Sequence, residues 1–416
     1  MNRKILFLTY FFPPRPEIGG KRIDKMCALA INRGWQPFVL TTEGDKAVDQ
    51  SLAKQYGEVD IQTVPPQLKS SFFKKRPRSL LSKVFFRLRR FYNLCADIFS
   101  FYRNAKKIMS DNDAPVFLST YPPRCVQLGA LFAKYSSKAF WVADFRDPWL
   151  SYTNEGFNFD RACNRFFLRR ILRNADLILA VTKNNLEFLQ KEARSDISKK
   201  CLLVPNAVEL SLFENIDAIR PSTDDKILLG HLGDLDYDHR NPRPILKALA
   251  KIREESDRYS KLEIHFWGNT GYWDGMDTDG LIRNENLVGS AFYHGSVDQK
   301  TAQGIIKGLD VLLLLAFNQP LQVPAKTYEY LLSGKPLLAL CEKYSETYAV
   351  VSQFDNVVTI TSADAQTVER GIAEVIDVFR NRSQSGASRD VSKLDYNVVF
   401  GPVIDRIEAP AQKHSL

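Results

Sequence analysis

Apolar residues in this chain gather into strand-sized runs that alternate with stretches of helical periodicity. Lys4 to Phe12 is a nearly unbroken apolar run, the pattern of a parallel strand buried on both faces. Pro13 and Pro14 break it, and Gly19-Gly20 supplies a turn. Ile23, Met26, Cys27, Ala30 and Ile31 then fall at helical spacing, which predicts a helix over 21–33 closed by Gly34. A strand over 37–41 completes a βαβ unit. The same rhythm predicts strands at 115–119, 139–143, 176–182 and 200–204, with helices at 124–135, 159–174 and 185–192.

A second set begins with a strand at 226–229 and continues with strands at 261–267, 291–294, 311–315, 336–340 and 357–360. Helices are predicted between them at 242–253, 301–308, 326–333 and 365–379. This alternation predicts two α/β domains, each a Rossmann-like, doubly wound, mostly parallel sheet. The first domain is expected over 1–207 and the second over 208–385, with Pro205-Asn206-Ala207 closing the first. The polar stretch 381–389 reads as a linker, and the tail 386–416 is expected to pack a last helix, 396–407, back on the first domain. Sheets of this kind bind ligands beyond the carboxyl ends of their strands, here in a cleft between the domains.

Composition narrows the class. With 416 residues, 44% of them apolar, the chain can bury two cores, which excludes wholesale disorder. The apolar run after Met1 is too short for a secretory signal, and no run is long enough to cross a bilayer, so a cytoplasmic protein is expected. Six cysteines without a C-x-x-C pair read as ordinary thiols of a reducing compartment, and the five histidines are scattered, so no metal site is expected. Neither G-x-G-x-x-G nor the P-loop signature occurs, which argues against a dinucleotide dehydrogenase or an NTPase.

The segment richest in chemistry is Val323-Pro-Ala-Lys326-Thr-Tyr-Glu329-Tyr-Leu-Leu-Ser-Gly334-Lys-Pro336. A helix starting near Lys326 offers free N–H groups and a positive dipole end to a diphosphate. Lys326 adds charge there, and Glu329, one turn on, can accept two hydrogen bonds from a ribose diol. The bland alternative is a surface helix with a Lys–Glu pair at i, i+3.

This segment resembles the donor-site motif of the family 4 glycosyltransferases. Other segments fall in the same order along nearly the whole chain. Phe12-Pro-Pro14 with Gly19-Gly20 resembles the family's opening, and Pro205-Asn206-Ala207-Val208 its P-N-G-V signature, with Ala207 for glycine. Ala143-Asp-Phe-Arg146-Asp147-Pro-Trp149 is similar to a variant in a bacterial branch. Gly230-His231-Leu232 through Arg240-Asn241-Pro242 resembles the phosphate loop, and Tyr293-His-Gly295-Ser-Val297 the strand end beside the base.

The resemblance implies a GT-B fold with an acceptor domain and a nucleotide-sugar domain, and metal-independent transfer with retention of configuration. The donor, of UDP or GDP type, is a co-substrate; no further cofactor is implied. It implies donor contacts from Gly19, Gly20, His231, Gly233, Arg240, Gly268, Asn269, Gly295, Val297, Lys326, Thr327 and Glu329. Catalytic candidates are Asp144, Arg146, Asp147, Arg240 and Lys326. For Asp144, Arg146 and Asp147 an acceptor-binding role and an ion pair that pins the loop both stand open. Asp234-Leu-Asp236-Tyr-Asp238 reads as a solvated loop, against a cation site. Three departures stand out: Leu321 where the family's first acid is usual, His231 where Arg is common, and no histidine before His231. A GT-B nucleotide-sugar epimerase and a non-catalytic binding subunit are the rival readings.

Charge is distributed unevenly. Between Lys69 and Lys107 twelve Lys or Arg face one acid, Asp97, while the whole chain carries +9. Over 79–99, Leu80, Leu81, Val84, Phe85, Leu88, Phe91, Tyr92, Cys95, Ile98 and Phe99 share one helical arc of roughly 140°, with Lys83, Arg87, Arg89 and Arg90 outside it. Such a basic amphipathic insert can lie on an anionic membrane surface, on the inner face of the cell membrane, near a lipid-linked glycan acceptor. A helix packed on its own domain is the alternative. No nucleic-acid module accompanies the basic segment, so no nucleic-acid partner is expected.

Overall fold

The computed structural model describes residues 3–13, 18–43, 59–66, 80–149, 158–223, 225–255, 259–272, 274–381 and 390–413. The chain divides into two units, one formed by Met1–Pro205 with Tyr396–Leu416, the other by Asn206–Asp395.

Among the described residues the first unit is built on seven parallel strands: β1 (Lys4–Leu8), β2 (Gln36–Thr42), β3 (Asp60–Val64), β4 (Val116–Tyr121), β5 (Phe140–Phe145), β6 (Leu177–Ala180) and β7 (Cys201–Leu203). Their order is β3-β2-β1-β4-β5-β6-β7, so the direction of winding reverses between β1 and β4. β1 shows why an unbroken apolar run makes a central strand: Leu6 and Leu8 enter one core while Ile5 and Phe7 enter the other. Among the described residues five helices connect these strands: α1 (Lys21–Asn32), α2 (Leu80–Asn112), α3 (Arg124–Tyr135), α4 (Asn158–Asn174) and α5 (Lys183–Ala193).

Among the described residues the second unit has six parallel strands: β8 (Ile227–Leu232), β9 (Leu262–Trp267), β10 (Ala291–Tyr293), β11 (Val311–Leu315), β12 (Leu337–Leu340) and β13 (Val357–Ile360). Their order is β10-β9-β8-β11-β12-β13, with the reversal between β8 and β11. Its helices are α6 (Arg243–Glu255), α7 (Thr278–Asn284), α8 (Gln299–Gly308), α9 (Ala325–Leu332), α10 (Glu346–Val351) and α11 (Ala365–Asn381). Where the chain enters and leaves this unit, the two passes lie side by side, with Val208 N–H donating to the Leu394 carbonyl at 2.8 Å. The chain ends in α12 (Tyr396–Lys413), which belongs to the first unit: Phe400, Val403, Ile404 and Ile407 are buried in the core that holds Ile5, Ile23 and Met26.

Several elements differ in extent from the sequence reading. α2 runs on to Asn112, because Phe101, Ala105, Ile108 and Met109 continue a buried stripe beyond the stretch read from the amphipathic arc. β5 includes Asp144 and β8 includes His231, polar residues that pattern alone assigns to loops. Both are buried, at 0% and 3% exposure, and each has found a partner inside the unit. Among the described residues no helix is long and apolar enough to cross a membrane.

Candidate functional site

In the second unit the strand ends at the reversal point gather most of the residues singled out from sequence. His231 is the next-to-last residue of β8, and its Nδ1 lies 3.0 Å from the Leu313 carbonyl of β11, the neighbouring strand across the reversal. Its other nitrogen, Nε2, is buried and has no hydrogen-bond partner among the described residues. Desolvation, with Arg240 and Lys326 adding to it, lowers the imidazole pKa to about 4, against the pull of the Leu313 carbonyl and of Asp234.

The helix α9 begins beside this strand end. The Tyr330 hydroxyl lies 2.9 Å from the Leu232 backbone N–H and accepts from it, which fixes α9 against the end of β8. Pro324 at the N-cap brings no side-chain acceptor to the first turn. Thr327 is fully buried there, and its hydroxyl has no partner among the described residues. Lys326 and Glu329 form an ion pair at 2.7 Å on the partly exposed face of the same helix. Arg240 pairs with Asp236 at 3.4 Å in the loop after β8. Leu321 is buried, and two residues before it the amide nitrogen of buried Gln319 lacks a partner among the described residues.

A second group of loops is tied together next to these. Gly268 N–H donates to the Gly295 carbonyl at 2.8 Å, and the Tyr293 hydroxyl to the Gly268 carbonyl at 2.8 Å. Asp234 accepts from the Asn269 backbone at 3.0 Å and side chain at 2.9 Å. Gly268 has a φ of +130°, and a Cβ there would collide with the Gly233 carbonyl, so the β8 and β9 loops approach this closely only with glycine present. Val297 lies beyond β10 and is exposed. Two of the three acids of the 234–238 loop are thus held by neighbours: Asp234 by Asn269, and Asp236 by His239 and Arg240.

The first unit presents a different arrangement. Asp144 is inaccessible to solvent and accepts from Arg22 Nε at 3.1 Å, from its terminal nitrogen at 3.0 Å and from the Thr120 hydroxyl at 2.9 Å. Arg22 spends its remaining donors on the carbonyls of Val204 and Pro205, each at 2.9 Å. This network joins α1, β4, β5 and the end of β7 into one closed set. Arg146 and Asp147, at the end of β5, are half-buried and pair at 3.5 Å. Arg146 also donates to the Gly19 carbonyl. Burial raises the Asp147 carboxyl above its ordinary range, with Arg146 acting the other way. Gly19 and Gly20 pack on the protein itself: a Cβ on either would press on Phe11, and one on Gly19 also on Arg146.

Sequence reasoning missed Arg22, Gln319 and Tyr330. Arg22 carried a readable signal, a charge beside the buried stripe of α1; its partner lies 122 residues away, which no local pattern reveals.

No protein-family model matches this chain, and no curated protein sequence matches it. Solved structures do match over nearly its full length. HepE of Anabaena, solved with UDP and glucose, superposes with a TM-score of 0.66 at 14% identity, covering 97% of this chain and 99% of its own. A glycosyltransferase of Rickettsia africae gives a TM-score of 0.64 at 11% identity, covering 98% of each chain. A protein assigned as UDP-N-acetylglucosamine 2-epimerase from Listeria monocytogenes gives 0.61 at 11% identity, covering 99% of this chain and 98% of its own. The chain has the GT-B fold. Two Rossmann-like parallel sheets in one chain, matched end to end, establish that much; at these identities the likeness speaks for fold alone.

Proposed function

We propose that this GT-B protein is a glycosyltransferase of the family 4 type, moving a sugar from a nucleotide-diphospho-sugar to a hydroxyl of a glycan or lipid-linked glycan. The observation that carries the proposal is the chemistry at the reversal point of the second unit. Two buried polar groups without partners, His231 Nε2 and the Thr327 hydroxyl, adjoin an uncapped helix start and two cations, Lys326 and Arg240. Buried polar groups are almost always paired, so such vacant donors and acceptors suit a polar ligand. A diphosphate uses the helix N–H groups and both cations, and Glu329 takes the ribose hydroxyls. Matches to HepE, solved with UDP and with UDP-glucose, favour a UDP-type donor.

In this reading the leaving diphosphate is stabilised by fixed cations and helix N–H groups without a metal, and transfer retains configuration. The first unit takes the acceptor, with Arg146 and Asp147 beside Gly19 as its polar contacts. The chain acts at the cytoplasmic face of the cell membrane. There the exposed aromatic face of α2 (Phe85, Leu88, Phe91, Tyr92 and Phe99, each 60–70% exposed) meets the lipid, flanked by Arg87, Arg89 and Arg90.

Thermal-shift screening against UDP-, GDP-, ADP- and CDP-sugars tests the donor. Stabilisation by a UDP- or GDP-sugar, and release of the nucleotide only when a glycan acceptor is added, is the expected result. The likeness to an epimerase structure favours one second reading, nucleotide-sugar epimerisation, in which an isomerised donor accumulates with no acceptor present. Absence of any shift across the panel would point to a non-catalytic subunit.

A further inference from the structure

The proposed donor site contains a histidine whose two nitrogens are in unlike situations. Nδ1 of His231 faces the Leu313 carbonyl at 3.0 Å. A carbonyl can only accept, so Nδ1 carries the ring's hydrogen. In the neutral ring Nε2 is then a bare lone pair, and it is this atom that is buried without a partner, next to Gly233. Gly233 packs closely against the ring on that side: a Cβ there would lie 3.3 Å from Nε2.

A lone pair repels an anionic oxygen. Protonated, the same atom becomes a charge-assisted donor to it. Resting on the reading of this site as a nucleotide diphosphate site, we propose that His231 binds the donor only as the imidazolium, so that each donor molecule bound brings one solvent proton onto Nε2.

The surroundings hold the empty site in the neutral form. The charged groups acting on the ring are Arg240 and Asp234 from the loop after β8 and Lys326 from α9. The two cations outweigh the one acid, and burial acts in the same direction as the cations, which puts the free imidazole at about 4. Arg240 is paired with Asp236 and Lys326 with Glu329, so an arriving diphosphate adds two negative charges to a site whose cations are already partly neutralised. Its charge reverses the balance at the ring. Affinity then falls as pH rises, by up to about tenfold per pH unit, from just above the free imidazole's pKa to the pKa of the complex.

Calorimetry with UDP-glucose, whose diphosphate diester does not titrate between about pH 5 and 8, separates the possibilities. Titrations at about pH 6 in buffers of different ionisation enthalpy should show uptake of close to one proton per UDP-glucose bound. His231→Gln should bind more weakly and without proton uptake. His231→Arg should bind with an affinity that no longer varies between pH 5 and 8. Binding by the wild type with no proton exchange would overturn the proposal while leaving the donor site standing; Nε2 would then be accepting from a ligand hydroxyl. Failure to bind UDP-glucose at every pH, and GDP-mannose likewise, would instead remove the donor-site reading and this inference with it. The wild-type proton count decides the matter even if a His231 variant does not fold.

Discussion

The strand ends of the two units differ in how completely their polar groups are satisfied. In the first unit Asp144 is fully buried and takes its hydrogen bonds from Arg22 and Thr120, while Arg22 spends its other donors on the carbonyls of Val204 and Pro205. In the second unit the equally buried His231 and Thr327 each keep a polar atom without a partner, beside cations in partly exposed pairs. A closed network stabilises a fold and has nothing left for a ligand. An open one costs stability until something fills it. The same sequence cue, charged residues at a strand end, thus marks structure in one unit and, in the proposed reading, a binding site in the other.

The largest effect should come from opening the closed network. Asp144→Ala leaves Arg22 buried without its carboxylate, which should cost about 3–5 kcal/mol of stability. Thermal unfolding should show it as a clear drop in the melting temperature. An unaltered melting curve together with lost activity would move Asp144 from the ion pair to the reaction and dissolve the contrast.

At the open site the order reverses, with a large kinetic effect and a small structural one. Lys326→Ala should lower kcat by about 10²–10³-fold, as loss of one fixed charge at a leaving group does elsewhere. Glu329→Ala should raise the donor KM by about 10-fold or more, through loss of hydrogen bonds to a charged group. Both side chains lie in a partly exposed i, i+3 pair, so neither change should shift stability by more than about 1 kcal/mol. Melting temperatures that fall as far as that of Asp144→Ala would make this pair structural as well.

Much of the fold was legible because parallel strands buried on both faces are written as apolar runs, and helices between them keep their own period. β11 and β12 read directly in this way. The short edge strand β3 did not, since its Asp60, Gln62 and Thr63 are exposed and no run forms. The helices α7 and α10, of seven and six residues, are too short for a period to show. At the site, α9 and its Lys326 and Glu329 were readable as a local motif. The pairing of Arg22 with Asp144 was not, because it depends on contacts between distant segments. On α2 the side that is buried carries Asn93 and Asp97, which no apolar arc reveals, while the aromatic residues of the arc face outward.

That inversion extends the contrast between satisfied and unsatisfied surface to an apolar case. Phe85, Leu88, Phe91, Tyr92 and Phe99 present one side of α2 to solvent, and Phe132 and Tyr135 of the neighbouring α3 are exposed too. Large apolar exposure of this kind costs free energy in water and is relieved by a second apolar phase. Arg87, Arg89 and Arg90 lie exposed on the same helix, which selects an anionic one. Each arginine near such a surface contributes about 1 kcal/mol, and the attraction weakens once salt shortens its range. The expected result is co-sedimentation with vesicles that increases with their anionic-lipid content and declines with salt. Arg87→Glu, Arg89→Glu and Arg90→Glu together should release the protein, and Phe91→Ser with Tyr92→Ser should weaken binding even at low salt. Neither set should change the affinity for a nucleotide sugar, because α2 belongs to the first unit and the open polar site to the second. If the wild type ignores anionic vesicles at low salt, the exposed aromatic face serves some other contact, and unsatisfied surface in this chain marks a ligand only where it is polar.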